Sequence, residues 1–162
     1  MEFDLPGFWV KVADDSDYAF AMECVEESAW NTLEEGQRTP GMREKVIAQA
    51  RDQAVRIMDG DMPNDLYVLM TDGDERAGIL WMGVMKHSWT GADMGWILDI
   101  FVAERFRGQG LGGALMRLAE RWTIERGLTS LGLAVGAANM AAVHLYERIG
   151  MRVETLQMRK DL

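Results

Sequence analysis

A run of glycine and arginine residues at positions 105–113, RFRGQGLGG, has the composition of an anion-binding loop. Glycine allows a ligand to approach the backbone closely. Where a helix begins in such a run, the free N–H groups of its first turn and the positive end of its dipole favour a phosphate. Arg105 and Arg107 add positive charge in a chain whose formal net charge is −9. The run therefore predicts a site for a phosphate-bearing ligand.

Two other phosphate-binding motifs also contain closely spaced glycines and must be compared with this run. Gly108, Gly110 and Gly113 match the dinucleotide fingerprint G-x-G-x-x-G, but residues 103–107 separate them from the preceding predicted strand. The next predicted strand ends at residues 134–136 without the acidic residue that would hold a ribose. A nicotinamide enzyme is therefore not favoured. The lysine-containing phosphate loop is excluded because no Lys-Ser or Lys-Thr follows the glycines.

Hydrophobic periodicity predicts the elements that must position this run. Strands are predicted at residues 8–12, 66–71, 77–86, 94–102, 128–135 and 151–158. Helices are predicted at residues 18–30, 40–60, 110–126 and 140–149. This order indicates an α/β fold in which a mixed, mostly antiparallel twisted sheet of six or seven strands carries about four helices on both faces. With no linker or repeat, residues 1–162 are expected to form one domain.

Two motifs resemble a known family. Arg107, Gly110 and Gly112 fill the pattern Q/R-x-x-G-x-G/A that marks the GNAT acetyltransferases, and residues 99–102 supply the strand that precedes it. Residues 139–151, with Asn139 at the start and Gly150-Met151 at the end, look like the second motif of that family. The resemblance implies the GNAT fold and an N-acetyltransferase that uses acetyl-CoA as cosubstrate.

The resemblance also implies where acetyl-CoA binds. The pyrophosphate would lie on Arg107, Gly108, Gln109, Gly110, Leu111, Gly112 and Gly113. The pantetheine arm would pair with the backbone of Ile100, Phe101 and Val102, and would also contact Asn139. In such proteins the strands at residues 94–102 and 128–135 splay apart, and the cofactor occupies the gap. From its position alone, Asn139 could equally be a helix N-cap.

Acetyl transfer to an amine needs a base, because an amine with a pKa near 10.4 is roughly one part in a few thousand neutral at pH 7. Asp99 is the only charged residue in an apolar strand, and burial of a carboxylate raises its pKa, which suits a base or a ligand for the amine. An ion pair with a nearby arginine is the alternative.

Tyr146 matches the family's tyrosine, which protonates the departing thiolate, although spacing alone also fits a core residue beside Ala142 and Leu145.

The acceptor is predicted less directly. Trp30 and Glu34 lie in the region that covers the acceptor site in this superfamily, and an acid beside an aromatic ring, with Asp99, would suit a cationic amine. A solvated Glu34 and a Trp30 packed on the core are the alternatives. The predicted acceptor is a primary amine on a polyamine-like or other cationic small molecule, or a peptide N-terminus. A non-catalytic acyl-CoA sensor or interaction module is the other function considered.

Composition also bears on the partners, the metal content and the location expected for this protein. The net charge of −9 argues against nucleic acid or an anionic membrane as partner. His87 and His144 have no partner at metal-ligand spacing, so no metal is predicted. One cysteine, Cys24, and the lack of a long apolar run or a signal peptide favour the cytoplasm. Because many members of the resembling family dimerise through their C-terminal strands, a homodimer is one option.

Overall fold

The centre of the fold is a mixed sheet of five strands in a computed structural model that describes residues 3–160. The strands are β1 (Phe8–Val12), β2 (Asn64–Thr71), β3 (Arg76–Lys86), β4 (Asp93–Val102) and β5 (Leu131–Leu133). The helices are α1 (Tyr18–Asn31), α2 (Met42–Arg56), α3 (Leu111–Glu125) and α4 (Met140–Arg148). Within residues 3–160, no helix is both long and apolar enough to cross a membrane.

The strands lie in chain order across the sheet, β1-β2-β3-β4-β5. The first four are antiparallel, and β2 and β3 are joined by a tight turn in which Asp74 adopts a positive φ of 58°. β5 runs parallel to β4, because the connection between them passes through α3. The α/β fold with a mostly antiparallel sheet and four helices is thereby confirmed.

The sheet has fewer strands than the six or seven predicted. Residues 151–160 form no strand, and the fifth strand covers Leu131–Leu133 instead of residues 128–135. The apolar side chains of the predicted last strand, Val153, Leu156 and Met158, are exposed. Met151 and Val153 alternate with polar residues as in a strand, but no neighbouring strand within residues 3–160 pairs with this segment.

The two faces of the sheet pack against different helices. On β3, Leu80 and Met82 point into a cluster with α3, whereas Ile79 and Trp81 point towards α1 and α2. This alternation is the two-residue period of a strand, and it places helices on both faces. The apolar stripe of α3 includes Leu111, Leu115, Leu118 and Trp122, all fully buried. Each such leucine contributes roughly 1.5–3 kcal/mol to stability.

A bulge in β4 interrupts this alternation. Trp81 on β3 lies opposite Asp99, but the next residue, Met82, lies opposite Ile97, so Leu98 is the extra residue. Before the bulge, Ile97 belongs to the cluster on the α3 face; Leu98 packs instead with the cluster on the opposite face. After it, Ile100 packs on the α3 face again. The bulge therefore shifts the facing of every later residue of β4 by one position.

Beyond the bulge, β4 and β5 separate. The last paired residues are Ile97 on β4 and Leu133 on β5. β4 continues to Val102, still paired with β3 but no longer with β5. The gap between the two strands, which the family resemblance implied, opens at this point.

A buried ion cluster joins the first strand and first helix to β3. Asp17 has no exposed surface, and its Oδ1 accepts a hydrogen bond from Arg76 Nε at 2.8 Å. Its Oδ2 accepts from the Asp14 backbone N–H at 3.0 Å and lies 2.7 Å from Lys11 Nζ. Burial alone would raise the pKa of Asp17, but these partners outweigh it and lower the pKa below its usual value. The carboxylate therefore stays charged inside the protein.

Asp17→Asn should lower the free energy of unfolding at pH 7 by roughly 2–4 kcal/mol, because Lys11 and Arg76 lose their shared counter-ion. Since the pKa of Asp17 is lower in the folded state, its contribution is present above the unfolded pKa of about 3.9 and is lost as the pH falls through the folded value. Urea unfolding at pH 7 and at pH 3 measures both effects.

The control is Asp15→Asn, which removes an exposed carboxylate from the same turn and should change the free energy by less than about 0.5 kcal/mol. An Asp17→Asn protein as stable as the wild type at pH 7 would contradict the structural role of the cluster.

Candidate active site

A cleft of about 1090 Å³ opens where β4 and β5 separate. Its walls come from α1 and the loop after it, the second half of β4, the glycine run, the first turns of α3, the end of β5, and α4. The predicted site residues that line it are Asp99, Ile100, Phe101, Val102, Arg107, Gly108, Gly110, Leu111, Gly112, Gly113, Asn139 and Tyr146. The fold therefore brings together in one place most of the residues that the motifs identify.

The glycine run forms a backbone cradle at the start of α3. Gly108 and Gly110 have φ values of +76° and +83°, which only glycine adopts readily, and Gly110 is the N-cap of the helix. The first helical hydrogen bond runs from the Ala114 N–H to the Gly110 carbonyl at 3.1 Å. The amides of residues 111–113 consequently have no acceptor within the helix. Free amides at a helix N-terminus are a ready site for phosphate.

Two arginines of the run have different partners. Arg107 lines the cleft, donates from Nε to the Val102 carbonyl at 2.9 Å, and lies over the Phe101 ring at 5.7 Å. Arg105 instead forms an ion pair with Glu75, outside the cleft lining. Of the two charges expected to help the glycines, Arg107 is the one that the structure places at the cleft.

Two arginines on α3 and α4 line the cleft and were not predicted. Arg117 lies one turn after Gly113 on α3, and its Nη1 would be 3.7 Å from a methyl group at that glycine. Arg148, at the end of α4, also lines the cleft. The four-residue spacing from Gly113 to Arg117, which puts both on one helix face, is the sequence signal that could have identified it. Both add positive charge to the half of the cleft that contains the glycine run.

The edge of β4 beyond the bulge faces the gap. Ala103 N donates to Ala77 O at 2.8 Å, so in the alternation of an antiparallel pair the peptide groups of Ile100 and Val102 point away from β3. The Val102 carbonyl is taken by Arg107, and the Ile100 N–H supports the Asp99 carboxylate. The Ile100 carbonyl and the Val102 N–H thus face the gap, and their geometry suits the amides of a pantetheine arm.

Asn139 has the cap role considered for it, and it also borders the cleft. Its Oδ1 accepts from the Ala142 N–H at 3.3 Å, which caps the N-terminus of α4. The cap and the proposed contact with the pantetheine arm are compatible, since the side chain amide nitrogen is not used by the cap.

Asp99 is a carboxylate without a counter-ion. Its Oδ2 is shielded from solvent and has no hydrogen-bond partner, and within residues 3–160 Asp99 forms no ion pair, so the alternative of an arginine partner does not hold for these residues. Burial raises the pKa of Asp99 to about 7, against weaker opposing effects of the Ser28 hydroxyl and the Ile100 N–H. At neutral pH this group can both take up and release a proton.

Tyr146 lies close to Asp99 and is nearly buried in the cleft wall. Burial, with a smaller effect of the Asp99 charge, raises the pKa of Tyr146 to about 12. The phenol therefore keeps its proton and can donate it. Burial likewise raises the pKa of the Cys24 thiol to about 12, so this cysteine is a poor nucleophile for an acyl-enzyme route.

Three predicted residues do not line the cleft: Gln109, Trp30 and Glu34. Trp30 is half-buried, and the guanidinium groups of Arg38 and Arg43 lie 5.5 and 5.6 Å from the centre of its ring. Glu34 is exposed, and its backbone N–H donates to Gln37 Oε1 at 3.0 Å. The role of Trp30 and Glu34 in acceptor binding stays a prediction.

Four residues from the same region line the cleft in their place: Ser28, Asn31, Thr32 and Arg38. The spacing of Ser28, Asn31 and Thr32 is that of one helix face, and this polar stripe was the available sequence signal. Acidic and aromatic side chains, which the sequence prediction used, lie at the neighbouring positions 30 and 34 instead.

Comparison with known proteins identifies the family of this chain. The sequence profile described as the acetyltransferase (GNAT) family matches residues 22–151. The uncharacterized N-acetyltransferase YdgE of Bacillus subtilis is 27% identical over 144 residues, which cover 88% of this chain and 85% of that protein. Mycothiol acetyltransferase of Corynebacterium efficiens is 38% identical over 86 residues, 53% of this chain but only 27% of that enzyme.

The structure of a putative acetyl transferase from Pyrococcus furiosus has a TM-score of 0.81 at 23% identity and covers 96% of this chain and 99% of its own. A GCN5-related N-acetyltransferase from Ralstonia eutropha has a TM-score of 0.71 at 22% identity, with 96% and 99% coverage. At such identities these structures establish the fold. Together with the profile match over most of the chain, they show that the chain belongs to the acetyltransferase (GNAT) family of acetyl-CoA-dependent N-acetyltransferases.

Proposed function

We propose that this chain transfers the acetyl group of acetyl-CoA directly to a primary amine of a small molecule or a peptide N-terminus, with Asp99 as base and Tyr146 as acid. The observation that carries the proposal is the Asp99 carboxylate, whose Oδ2 is shielded from solvent and has no hydrogen-bond partner, beside a protonated tyrosine at the point where β4 and β5 separate. A polyamine-like acceptor, predicted from Glu34 and Trp30, has less support because neither side chain lines the cleft.

The cleft fits acetyl-CoA on three counts. Its volume of about 1090 Å³ can hold a ligand of that size. The amides of residues 111–113 offer donors to a pyrophosphate, and Arg107, Arg117 and Arg148 supply positive charge. The Ile100 carbonyl and the Val102 N–H face the gap as partners for amide groups. Bound acetyl-CoA supplies the thioester carbon that the amine attacks.

Asp99 would remove the proton that keeps the amine unreactive. A base works best when its pKa lies near the operating pH, and the pKa of about 7 for Asp99 meets that condition. The carboxylate also attracts an incoming ammonium group because it has no other counter-ion in residues 3–160. Desolvation of the amine in the same cleft would further favour its neutral form.

Tyr146 would protonate the sulfur. The amine nitrogen forms a bond to the acetyl carbon, the carbon–sulfur bond breaks, and the thiolate takes the phenolic proton. The second proton of the amine nitrogen then returns to Tyr146 through solvent, and Asp99 releases to solvent the proton that it took from the ammonium group, so that protons balance over the cycle. A phenol with a pKa of about 12 stays protonated between turnovers, which this role requires.

Asp99→Asn should lower kcat/KM by at least about a hundredfold, the usual contribution of a general base. In the wild type, kcat/KM should rise with pH through about 7 as Asp99 loses its proton, and this limb should vanish in the variant. Steady-state release of CoA thiol across pH 5.5–9 measures both. The matched control is Asp93→Asn, an exposed carboxylate at the other end of β4, which should keep the wild-type profile.

The same variant should not lose stability. Because the pKa of Asp99 is higher in the folded than in the unfolded protein, the wild type loses stability as the pH rises from about 3.9 to 7, and the penalty is complete above pH 7. Asp99→Asn should therefore gain about 1–3 kcal/mol at pH 8 in urea unfolding. A strongly destabilised variant would indicate a structural carboxylate instead of a base.

Tyr146→Phe should lower kcat by about tenfold or more, since the thiolate loses its proton donor, while the affinity for acetyl-CoA stays near the wild-type value. Calorimetric titration with CoA separates binding from turnover. Tyr67→Phe, in which a second buried tyrosine outside the cleft loses its hydroxyl, is the control. Full activity of Tyr146→Phe would contradict the acid role.

Gly110→Ala and Gly127→Ala change the two ends of the same helix, where both glycines have positive φ values of +83° and +72°. Each should cost about 1–2 kcal/mol of stability, because alanine is strained in this conformation. Only Gly110→Ala should weaken acetyl-CoA binding, by about tenfold or more, because it displaces amides that face the charged phosphates. Equal affinities of the two variants would show that the cradle does not bind the cofactor.

A further inference from the structure

The charged residues around the cleft have an uneven distribution. Those that line it are Arg38, Asp99, Arg107, Arg117 and Arg148, so Asp99 is the only carboxylate among the lining residues described. Arg107, Arg117 and Arg148 come from the glycine run and from α3 and α4, the half of the cleft with the phosphate cradle. Arg38 comes from the opposite wall, the loop between α1 and α2.

The wall that carries Arg38 borders the reacting end of the cleft. Ser28, on α1, lies beside the Asp99 carboxylate, and Asn31 and Thr32 follow one turn later. The Thr32 carbonyl lies against the loop that follows β5, where a methyl group at Gly136 would be 2.8 Å from it. This wall therefore lines the part of the cleft next to Asp99, and Arg38 is its one charged lining residue in the described chain.

Arg38 is held in place but is not neutralised. Its Nε donates to the Leu33 carbonyl at 3.2 Å, and its guanidinium lies 5.5 Å from the centre of the Trp30 ring. The preceding turn, Glu35–Gln37, is closed by reciprocal hydrogen bonds between Glu34 and Gln37. Within residues 3–160, no carboxylate pairs with Arg38, although acidic residues outnumber basic ones in this chain by 26 to 17.

Arg43 shows what a purely structural arginine looks like at the same ring. Its guanidinium lies 5.6 Å from the centre of Trp30, but it also pairs with Glu27 at 3.2 Å and does not line the cleft. Both arginines pack on one tryptophan, yet only Arg38 keeps its terminal nitrogens for a ligand. An unpaired guanidinium presents a fork of donors that fits a carboxylate in a bidentate manner.

We infer that the acceptor is an amine that also carries a carboxylate, an amino acid or a close relative, and that Arg38 binds this carboxylate while the amine faces Asp99. The inference rests on the proposed function. Such a zwitterion has little net charge, so the overall charge of −9 does not repel it. Polyamines, which present only cations, would meet Arg38 with charge repulsion and should be poor acceptors.

The test compares acceptors that differ only in the carboxylate. A panel of α-amino acids, including lysine and ornithine, is assayed beside the corresponding carboxamides and decarboxylated amines, with release of CoA thiol as the readout. The wild type should favour the acids in kcat/KM. Arg38→Gln should lower kcat/KM for the acids by about 10–100-fold, the usual effect of one charged hydrogen-bonded partner, and should leave the carboxamides unchanged. Arg38→Lys should retain part of the preference.

Arg43→Gln is the matched control, because it removes a charge from the same tryptophan without changing the cleft. It should keep the wild-type preference. Should the wild type acetylate carboxamides or polyamines as well as the acids, and should Arg38→Gln have no selective effect, the inference is overturned while the proposed function stands. Acetyl-CoA binding without acetylation of any amine would contradict the proposed function instead.

A binding measurement decides the inference even without turnover. The CoA-loaded protein is titrated calorimetrically with N-acetyl amino acids and with their carboxamides. A preference for the acids that disappears in Arg38→Gln but persists in Arg43→Gln supports the carboxylate site. Equal affinity for both kinds of ligand in the wild type rejects it.

Discussion

The bulge at Leu98 is the constraint on which the site depends. Through Ile97, β4 pairs with β3 on one side and β5 on the other; one extra residue then changes the direction and the facing of the strand. With strict alternation, Asp99 would follow Ile97 into the apolar face under α3. The bulge places it instead beside Ser28 of α1, at the edge of the gap. A single extra residue thus marks the point where the cleft opens and determines which face of the sheet carries the Asp99 side chain.

The charges that line the cleft explain how an acidic protein could bind a polyanionic cosubstrate such as acetyl-CoA. Charges further apart than a Debye length of about 8 Å are largely screened at physiological salt, so the net charge of −9 matters less than the groups within the cleft. There, free helix amides and Arg107, Arg117 and Arg148 dominate. Even Arg117 shares its charge with Asp4, 3.2 Å away, which shows how closely acidic residues approach without entering the lining.

Sequence reasoning succeeded where structure is encoded locally. β1, the glycine run and α3 were predicted nearly to their bounds, because periodicity, caps and glycine conformations depend on neighbouring residues. It failed where the structure depends on contacts between distant parts of the chain. The bulge depends on the register between β3 and β4, and the missing pairing of residues 151–158 depends on a neighbouring strand. Arg38 could not be separated from Arg43, since only the fold decides which arginine meets Glu27.

Two aspartates with oxygens shielded from solvent have opposite effects on the stability of the fold. Asp17 lies between Lys11 and Arg76, and its pKa is lowered, so its charge stabilises the fold. Asp99 has no cation beside it in residues 3–160, and its pKa is raised to about 7, so its charge destabilises the fold at neutral pH. Asp17 has two cationic partners and Asp99 has none among residues 3–160, and this difference sets the direction of each pKa shift. A carboxylate without a cation can pair with an incoming ammonium group and remove its proton, which is the role proposed for Asp99.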